Sequence, residues 1–554
     1  MSHSSFGYLA VAGTKSYKNP VKVKELPISQ FENLENTLIK RNINNNNSTN
    51  LELQEQQQQQ QQKFNDSNIV LPNILENYRN ETFKSNLRIY LSNILPNIFK
   101  PQTHIYNLSK NSINKSKNRN SKKIKKTAVI ISIHSFLPFK MVRSLIGDST
   151  SNATSMSDKT EESLLRWGKQ NNVELDIIKI SIDGEGKIFE RVSMILNLLD
   201  NWFNIISNCD FLIFTSFSQS VPISIHILSR LITSGVIKKI KNKKIGLINL
   251  SGNCLGPIIG LDSKIKIKNF NILEKEILLE LFDLQDPETL QYQELLRHIK
   301  VLLKNNVKIS FIGSINDQFI SLYSSLCIQI DHPNIYRAIF YHNPNQNYNN
   351  NNIDNEVVPF FIIYLIDIIL EIKNLGYYQS EELNDLIIEI SKFLKINNNN
   401  VSINNFNSNH VNILKEDKVY DSGISNILNT SNLIKYNNTQ IEKLIIEHNI
   451  NCKNFNNNQY NIPWCLRGFI EHLKDIKNID ADKIINNLID SYSEWENNSN
   501  SNSNAGLGFG TGSFSGNVSS NSNSNYSSNG GSSNGNKQLN ELKYIIEALN
   551  HFKM

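Results

Sequence analysis

Between Thr127 and about Gly376 the apolar residues fall into short β-branched runs separated by stretches with helical spacing. The runs Ala128–Ile133, Leu175–Ile180, Asp210–Thr215, Lys244–Leu250, Val307–Ile312 and Tyr336–Tyr341 predict strands. Several are apolar at successive positions instead of alternating, as expected of strands covered on both faces of a parallel sheet. Helical periodicity lies between them, near Thr160–Lys169, Ile188–Ile206, Gln219–Leu231 and Gln291–Lys304, and again at Val358–Lys373. Alternation of this kind predicts an α/β fold, a mostly parallel sheet flanked by helices through right-handed crossovers. The long stretch Ile265–Glu288, helical over Ile272–Phe282, reads either as a lid over the strand ends or as an ordinary crossover helix.

Outside this block the pattern weakens. Residues 1–126 carry an Asn run at 44–47 and a Gln run at 56–62, and most of that region is expected to be disordered because it buries too little apolar area. One segment, 69–99, has the residues for helical turns docked on the main domain. Beyond the α/β domain at 127–376, residues 377–496 predict a helical extension, with helices at Ser380–Leu394, Gln440–His448, Ile462–Ile476 and Ala481–Trp495. Residues 497–536 form a Ser/Asn/Gly linker and 537–554 a C-terminal helix with Leu542, Ile545, Ile546, Leu549 and Phe552 on one stripe.

Composition adds exclusions. Of 554 residues, 57 are Lys or Arg and 51 Asp or Glu, and eight of the basic ones lie in Ser109–Lys126 with no acid among them, leaving 49 against 51 elsewhere. The basicity is therefore one local segment, read as a solvated linker with nuclear import as its alternative, and no nucleic-acid partner is expected. The 5 cysteines are scattered without a Cys-x-x-Cys pair, so neither a disulfide framework nor a structural metal is predicted. The longest apolar run, Val357–Ile366, ends at Asp367, well short of the ~20 residues a membrane span needs. A cytoplasmic protein is the expectation.

Candidate chemistry centres on Phe211–Pro222, where an apolar strand runs into Ser216-Phe217-Ser218-Gln219-Ser220 and then a helix. A strand ending in small-x-Ser-x-small before a helix has the layout of a nucleophile elbow, whose flanking residues must be small because strand and helix backbones nearly touch. Glycine is usual at both flanks; here both are serine. The alternative is a serine-rich turn whose hydroxyls cap the helix. If Ser218 is the nucleophile, the N–H of Gln219 is one oxyanion donor, and the end of the first strand, His134-Ser135-Phe136, supplies the second from Ser135 or Phe136. Asp317, in the loop after Val307–Ile312, stands in the acid position of the order Ser, Asp, His. His342, directly after the last strand, is the candidate base; His332 precedes that strand and reads as a turn residue. Asp183-Gly-Glu-Gly-Lys187 lacks the spacing of a phosphate loop and reads as a tight turn. No cofactor is called for.

Several segments carry a more specific resemblance: Met141–Asp148, Gly184–Ile188, Ser218-Gln219 followed by Val221-Pro222, Gly252–Pro257, Gly313–Gln318, His332–Ala338, Lys373–Gly376 and Ile462–Gly468. In order, they resemble the landmarks of a poorly characterised, mainly fungal family of α/β-hydrolase-like proteins within the α/β-hydrolase superfamily. In that family the elbow is similar to His-Ser-Gln-Gly, so Ser218 takes the serine, Phe217 the histidine position and Ser220 the glycine; Asp317 takes the acid. The family's His-Ala-Pro step before the helix that follows the last strand aligns here with Val357-Val358-Pro359, which has no histidine. The resemblance implies a serine hydrolase of an ester, thioester or amide, with a small-molecule or lipid-like acyl substrate. Its alternative is a catalytically inactive binding or scaffold protein of the same fold, with protein partners the sequence does not name.

Overall fold

The structure is a computed structural model describing residues 5–12, 21–26, 68–74, 124–135, 152–237, 243–262, 272–315, 317–342, 358, 360–377, 381–398, 409–430, 441–455, 461–475 and 481–491. The expected linker at 497–536, the C-terminal helix and most of the segment 69–99 lie outside the described residues.

The strands are β1 (Ser5–Ala12), β2 (Val21–Leu26), β3 (Asn68–Leu71), β4 (Ile124–Ser135), β5 (Val173–Gly184), β6 (Phe211–Phe217), β7 (Lys244–Leu250), β8 (Lys308–Ser314), β9 (Ile330–Asp331), β10 (Ile335–His342) and β11 (Ile446–Glu447). The helices that matter below are α1 (Ala153–Asn171), α2 (Ile188–Leu199), α3 (Ser220–Thr233), α4 (Ile272–Asp283), α5 (Leu290–Lys304), α6 (Phe360–Asn374), α7 (Glu382–Asn398), α8 (Asn409–Asn412), α9 (Asp417–Asn429) and α10 (Asn461–Asp475).

A nine-stranded sheet runs in the order β2-β1-β5-β4-β6-β7-β8-β10-β3. The seven strands from β1 to β10 are parallel, and β2 and β3 close the two edges antiparallel. The six predicted strands are all present, and every residue of β6 and β8 is buried, which for β6 explains the apolar run Phe211–Phe214. Helices α1 and α9 pack together on one side of the sheet; α2, α3 and α5 pack together on the other. Caps follow local chemistry: the Asn152 side chain accepts from the Ser155 N–H at 2.9 Å to start α1, and Asn172, at φ 54°, ends it in the left-handed conformation that asparagine tolerates.

Several expectations are corrected. Residues 1–126 contribute three strands to the sheet, because the patch around Tyr8–Ala12 finds ladder partners on β5 and the alternating burial of Ile69 and Leu71 suits a strand on β10 rather than a helical turn. Of the helix expected over Gln440–His448, Ile441 and Glu442 are helical; a turn follows and then β11, paired antiparallel with β9. The helix expected over Ile188–Ile206 is interrupted by a 3-10 turn at Asp200–Trp202. The chain also divides into two compact units, one comprising Met1–Ile353, Ile369–Gln379 and Val401–Phe455, the other Asp354–Ile368, Ser380–Asn400 and Asn456–Met554. Residues 401–455 thus belong with the sheet and not with a helical extension. In the second unit α7 packs against α10, and the Asn487 side chain donates to the Tyr364 hydroxyl at 3.3 Å. No helix among the described residues is long and apolar enough to cross a membrane.

A buried charge cluster fixes the β9–β10 corner of the first unit. Asp331, fully buried, accepts from Arg337 at 2.7 Å, Lys373 at 2.8 Å and His448 at 2.8 Å. Burial alone pushes its carboxyl pKa up, but the Lys373 and Arg337 cations and His448 outweigh this and hold it far below the usual range. Arg337 also donates to the carbonyls of Leu326, Cys327 and Ile330. The side chain of Asn374 closes both main-chain polar groups of Arg337, at 2.9 and 2.8 Å.

Replacing Asp331 with Asn strands two buried cations, and Asp331→Asn is expected to destabilise the chain by about 3–5 kcal/mol in urea unfolding. Acid sensitivity has a further source besides this depressed carboxylate. Burial, with a neighbouring cation adding to it, holds His298 down to about 4; burial and the His298 ring 4.4 Å away hold His226 down to about 3. Both have an unfolded value of roughly 6.5. The unfolded chain takes up protons that the folded chain refuses, so stability is full above about pH 6.5 and falls as the pH drops toward the folded values. The acid-side slope of unfolding free energy against pH, up to about 1.4 kcal/mol per unit per histidine, is expected to be shallower in a His226→Gln/His298→Gln variant.

Candidate active site

The end of β6 turns sharply at Ser218. Its backbone sits at φ 54°, in the left-handed region, between the strand residue Phe217 and Gln219, which opens α3. The turn is locked by main-chain bonds: the Ser218 N–H donates to Leu250 O at 3.0 Å, and the Ser218 carbonyl accepts from Val221 N–H at 3.2 Å and Asn253 N–H at 3.1 Å. A serine held at positive φ is strained, and it persists only where the surroundings over-determine it. The Ser218 hydroxyl does not cap the helix; α3 has no side-chain cap bond, and Ser218 Oγ is buried without a hydrogen-bond partner.

The flanking serines have bonds of their own. Ser216 Oγ lies 2.9 Å from Ser224 Oγ on α3 and donates to Asn249 Oδ1 on β7 at 2.9 Å. Ser220 Oγ lies 2.5 Å from Ser135 Oγ at the end of β4. Serine is thus small enough for the close strand–helix approach, and each hydroxyl is paired where glycine offers nothing. The neighbouring loop after β7 is equally tight: a Cβ on Gly252 would stand 2.9 Å from a Val221 methyl.

Asp317 follows β8 and is buried, 6% exposed. One carboxylate oxygen, Oδ1, accepts from the N–H groups of Phe319 and Ile320, both at 2.9 Å. The other, Oδ2, lies 2.6 Å from Nδ1 of His410, itself 1% exposed. An ionised carboxylate only accepts, so Nδ1 carries the proton and Nε2 is left as the acceptor. His410 Nε2 is buried without a hydrogen-bond partner, like Ser218 Oγ. The His410 ring is fixed between aromatic rings, tilted against Phe217 at a centroid distance of 4.6 Å and edge-on to Phe319 at 5.8 Å. Phe217 also stacks on His134 at 6.0 Å.

The carboxylate expected to orient His342 therefore orients His410. His342 closes β10 opposite Asn68 of β3, and its side chain lies outside the described residues. His332 is buried in the β9–β10 turn, where its Nδ1 accepts from the Asn334 N–H at 3.0 Å; burial beside Lys308 pushes its pKa down to about 3. It is the turn residue anticipated. The sequence points to His342 because that residue directly follows the last predicted strand, whereas His410 comes far later in the chain. In the structure α6 and α7 intervene, and the helix that completes the sheet layer is α9. A signal was present: Asn409-His410-Val411 lies just ahead of Asp417–Asn429, with Val411, Ile413 and Leu414 all buried. Of the oxyanion candidates, Gln219 and Ser135 are buried beside the elbow, and Phe136 lies outside the described residues. Among the described residues no group of three or more His, Cys, Asp or Glu could hold a metal ion.

A family model for the YMC0/YMC35 alpha/beta hydrolase domain matches residues 71–473, most of the chain. The chain belongs to this family. The matched span contains Ser218, Asp317 and His410 as well as strands β4 to β11. No curated protein and no solved structure matches the chain. The family assignment gives the α/β-hydrolase fold, in which a serine at a strand–helix elbow is followed in chain order by an acid and a histidine.

The paired hydroxyl of Ser216 yields a stability prediction for this elbow. Ser216→Ala removes two buried hydrogen bonds and strips Asn249 Oδ1 of its donor, so it is expected to cost about 1–3 kcal/mol in urea unfolding while keeping the elbow's steric fit.

Proposed function

We propose that this YMC0/YMC35-family protein is a serine hydrolase in which Ser218 is the nucleophile, His410 the general base and Asp317 the residue that orients the imidazole. The observation that carries this reading is the 2.6 Å Asp317–His410 bond, with two buried atoms left unpartnered, Ser218 Oγ and His410 Nε2. A buried hydroxyl and a buried ring nitrogen without partners are costly unless they serve one another or a substrate. The argument for an inactive scaffold was the missing histidine at Val357; His410 removes that argument.

In this reading Ser218 Oγ attacks the substrate carbonyl as its proton passes to His410 Nε2. The imidazolium that forms is stabilised by the Asp317 carboxylate, which stays ionised. The tetrahedral oxyanion is met by the main-chain N–H of Gln219, at the start of α3, and by that of Ser135 or Phe136 after β4. His410 then returns the proton to the leaving alcohol, thiol or amine, and a water repeats the sequence to release the acid. The substrate is an ester, thioester or amide of a small or lipid-like acyl group.

Labelling of the purified chain by a fluorophosphonate, with loss of fluoride as Ser218 Oγ bonds to phosphorus, tests this directly. Wild-type protein is expected to label; Ser218→Ala is expected not to, and His410→Ala and Asp317→Asn to label slower by about 10³-fold or more. His342→Ala is expected to label like the wild type. Absence of labelling in demonstrably folded wild-type protein, or equal loss in His342→Ala and His410→Ala, would overturn the assignment.

A further inference from the structure

Behind the elbow lies a cation that the mechanism above does not use. Arg191, on α2, is 1% exposed. One terminal nitrogen donates to Ser135 Oγ, and the other to the His134 carbonyl at 3.2 Å. Its Nε is buried without a partner. Among the described residues no carboxylate stands within ion-pair distance of it. Asp183, the nearest source of compensating charge, is engaged with the Ala153 N–H at 3.1 Å and His134 Nδ1 at 3.4 Å. Burial lowers the guanidinium to about 10, with Asp183 and Glu185 working against the shift, so it is a full cation at neutral pH.

Arginine only donates, so Ser135 Oγ accepts from Arg191; it also shares a hydrogen bond with Ser220 Oγ, 2.5 Å away, in which either hydroxyl can donate. The relay Arg191 to Ser135 to Ser220 ties three elements at one point: α2, the end of β4 and the first turn of α3. Ser220 is two residues past the candidate nucleophile, and Ser135 belongs to the segment assigned the second oxyanion donor. A neutral amide would tie the same loop without burying a charge that lacks a paired carboxylate, an arrangement that costs several kcal/mol. The cation makes sense where negative charge develops during the reaction.

We propose that Arg191 is a positioning residue for the oxyanion site: through Ser135 and Ser220 it fixes the end of β4 against the elbow, and its uncompensated charge favours the tetrahedral anion over the neutral substrate. This rests on the reading of Ser218 as nucleophile and of the β4 end as oxyanion donor. It separates Arg191 from a purely architectural residue, because its effect is confined to anionic states of the reacting centre.

The test uses the full chain as wild type, Arg191→Met, Arg191→Lys and Ser220→Ala, each first checked for folding by urea midpoint. Hydrolysis of a short-chain p-nitrophenyl ester gives kcat and KM, and inhibition by an arylboronic acid reports binding of a tetrahedral anion formed on serine. Arg191→Met is expected to lose about 10- to 100-fold in kcat with KM changed less than about threefold, and to weaken boronate inhibition in the same proportion as kcat. Arg191→Lys keeps the charge without the fork and is expected to fall between the two; Ser220→Ala, which breaks the relay but not the charge, is expected to lose less than Arg191→Met. Wild-type-like kcat and boronate affinity in folded Arg191→Met overturns the proposal, as does a loss in which kcat falls and boronate affinity does not. Should Arg191→Met not fold, wild-type-like values in both Arg191→Lys and Ser220→Ala overturn it. A folded wild type that neither hydrolyses the ester nor labels with fluorophosphonate overturns the hydrolase reading and this inference with it; reactive wild type with unaffected variants overturns this inference alone.

Discussion

The carboxylate of Asp317 is the point on which the site depends. Two main-chain N–H groups on Oδ1 fix its plane, which leaves Oδ2 a single direction in which to take the third bond. His410 fills that direction at 2.6 Å. The histidine arrives from a short helix far along the chain, at the end of a stretch whose preceding residues are dominated by Asn and Ser. The position of His410 is set by the Asp317 bond, by the rings of Phe217 and Phe319 and by the burial of Val411, Ile413 and Leu414. Those contacts remove rotational freedom from an imidazole that keeps one nitrogen on the acid and leaves the other buried without a partner.

The elbow obeys a second constraint, steric where the first is polar. A strand leading straight into a helix brings two backbones into near contact, and the residues on either side of the turn must be small. Glycine meets the steric demand but supplies no bonds. Here Ser216 and Ser220 meet it while binding Ser224, Asn249 and Ser135, so the turn is cross-linked to β7, β4 and its own helix. That cross-linking is what sustains Ser218 at φ 54°. Serine at the flanks is therefore a different solution of the same geometry and not a degraded elbow.

How far the fold could be read in the sequence follows from the same physics. Strands β6, β7 and β8 are buried almost throughout, and with β4, β5 and β10 they carry clustered β-branched and apolar positions that mark them in the sequence. Strands β1, β2 and β3 do not: β2 and β3 are edge strands, which need fewer apolar positions, and β1 takes its stability from a partner far away in the chain, so that the ladder between Ser5–Val11 and β5 is invisible to local periodicity. Ser218 and Asp317 were legible because each lies within a few residues of a strong strand. His410 lies beyond α6 and α7, and its pairing with Asp317, 93 residues earlier, is a tertiary fact. Among the landmarks that carried the family resemblance, several turn out to be architectural. Arg337, Lys373 and Asn374 build the buried cluster around Asp331, and Gly252 and Asn253 brace the elbow from the next loop.

This division of labour bears on how such a site tolerates change. The Asp331 cluster is a closed system of buried, mutually bonded groups, and losing any member leaves another stranded; at the elbow the flanking hydroxyls of Ser216 and Ser220 are paired while that of Ser218 is not. Between β10 and His410 the chain returns Lys373 and Asn374 to the Asp331 cluster; outside those anchors the loop-closure penalty grows only slowly with the length of the intervening segment. A chain can therefore lengthen there by dozens of Asn-rich residues and still return its histidine to the acid, provided the Asp317 bond and the few apolar residues after His410 are kept. The Asp317–His410 pair and the elbow are held by short-range locks at the strand ends, and the covalent path from β10 to His410 is anchored on the way at Lys373 and Asn374.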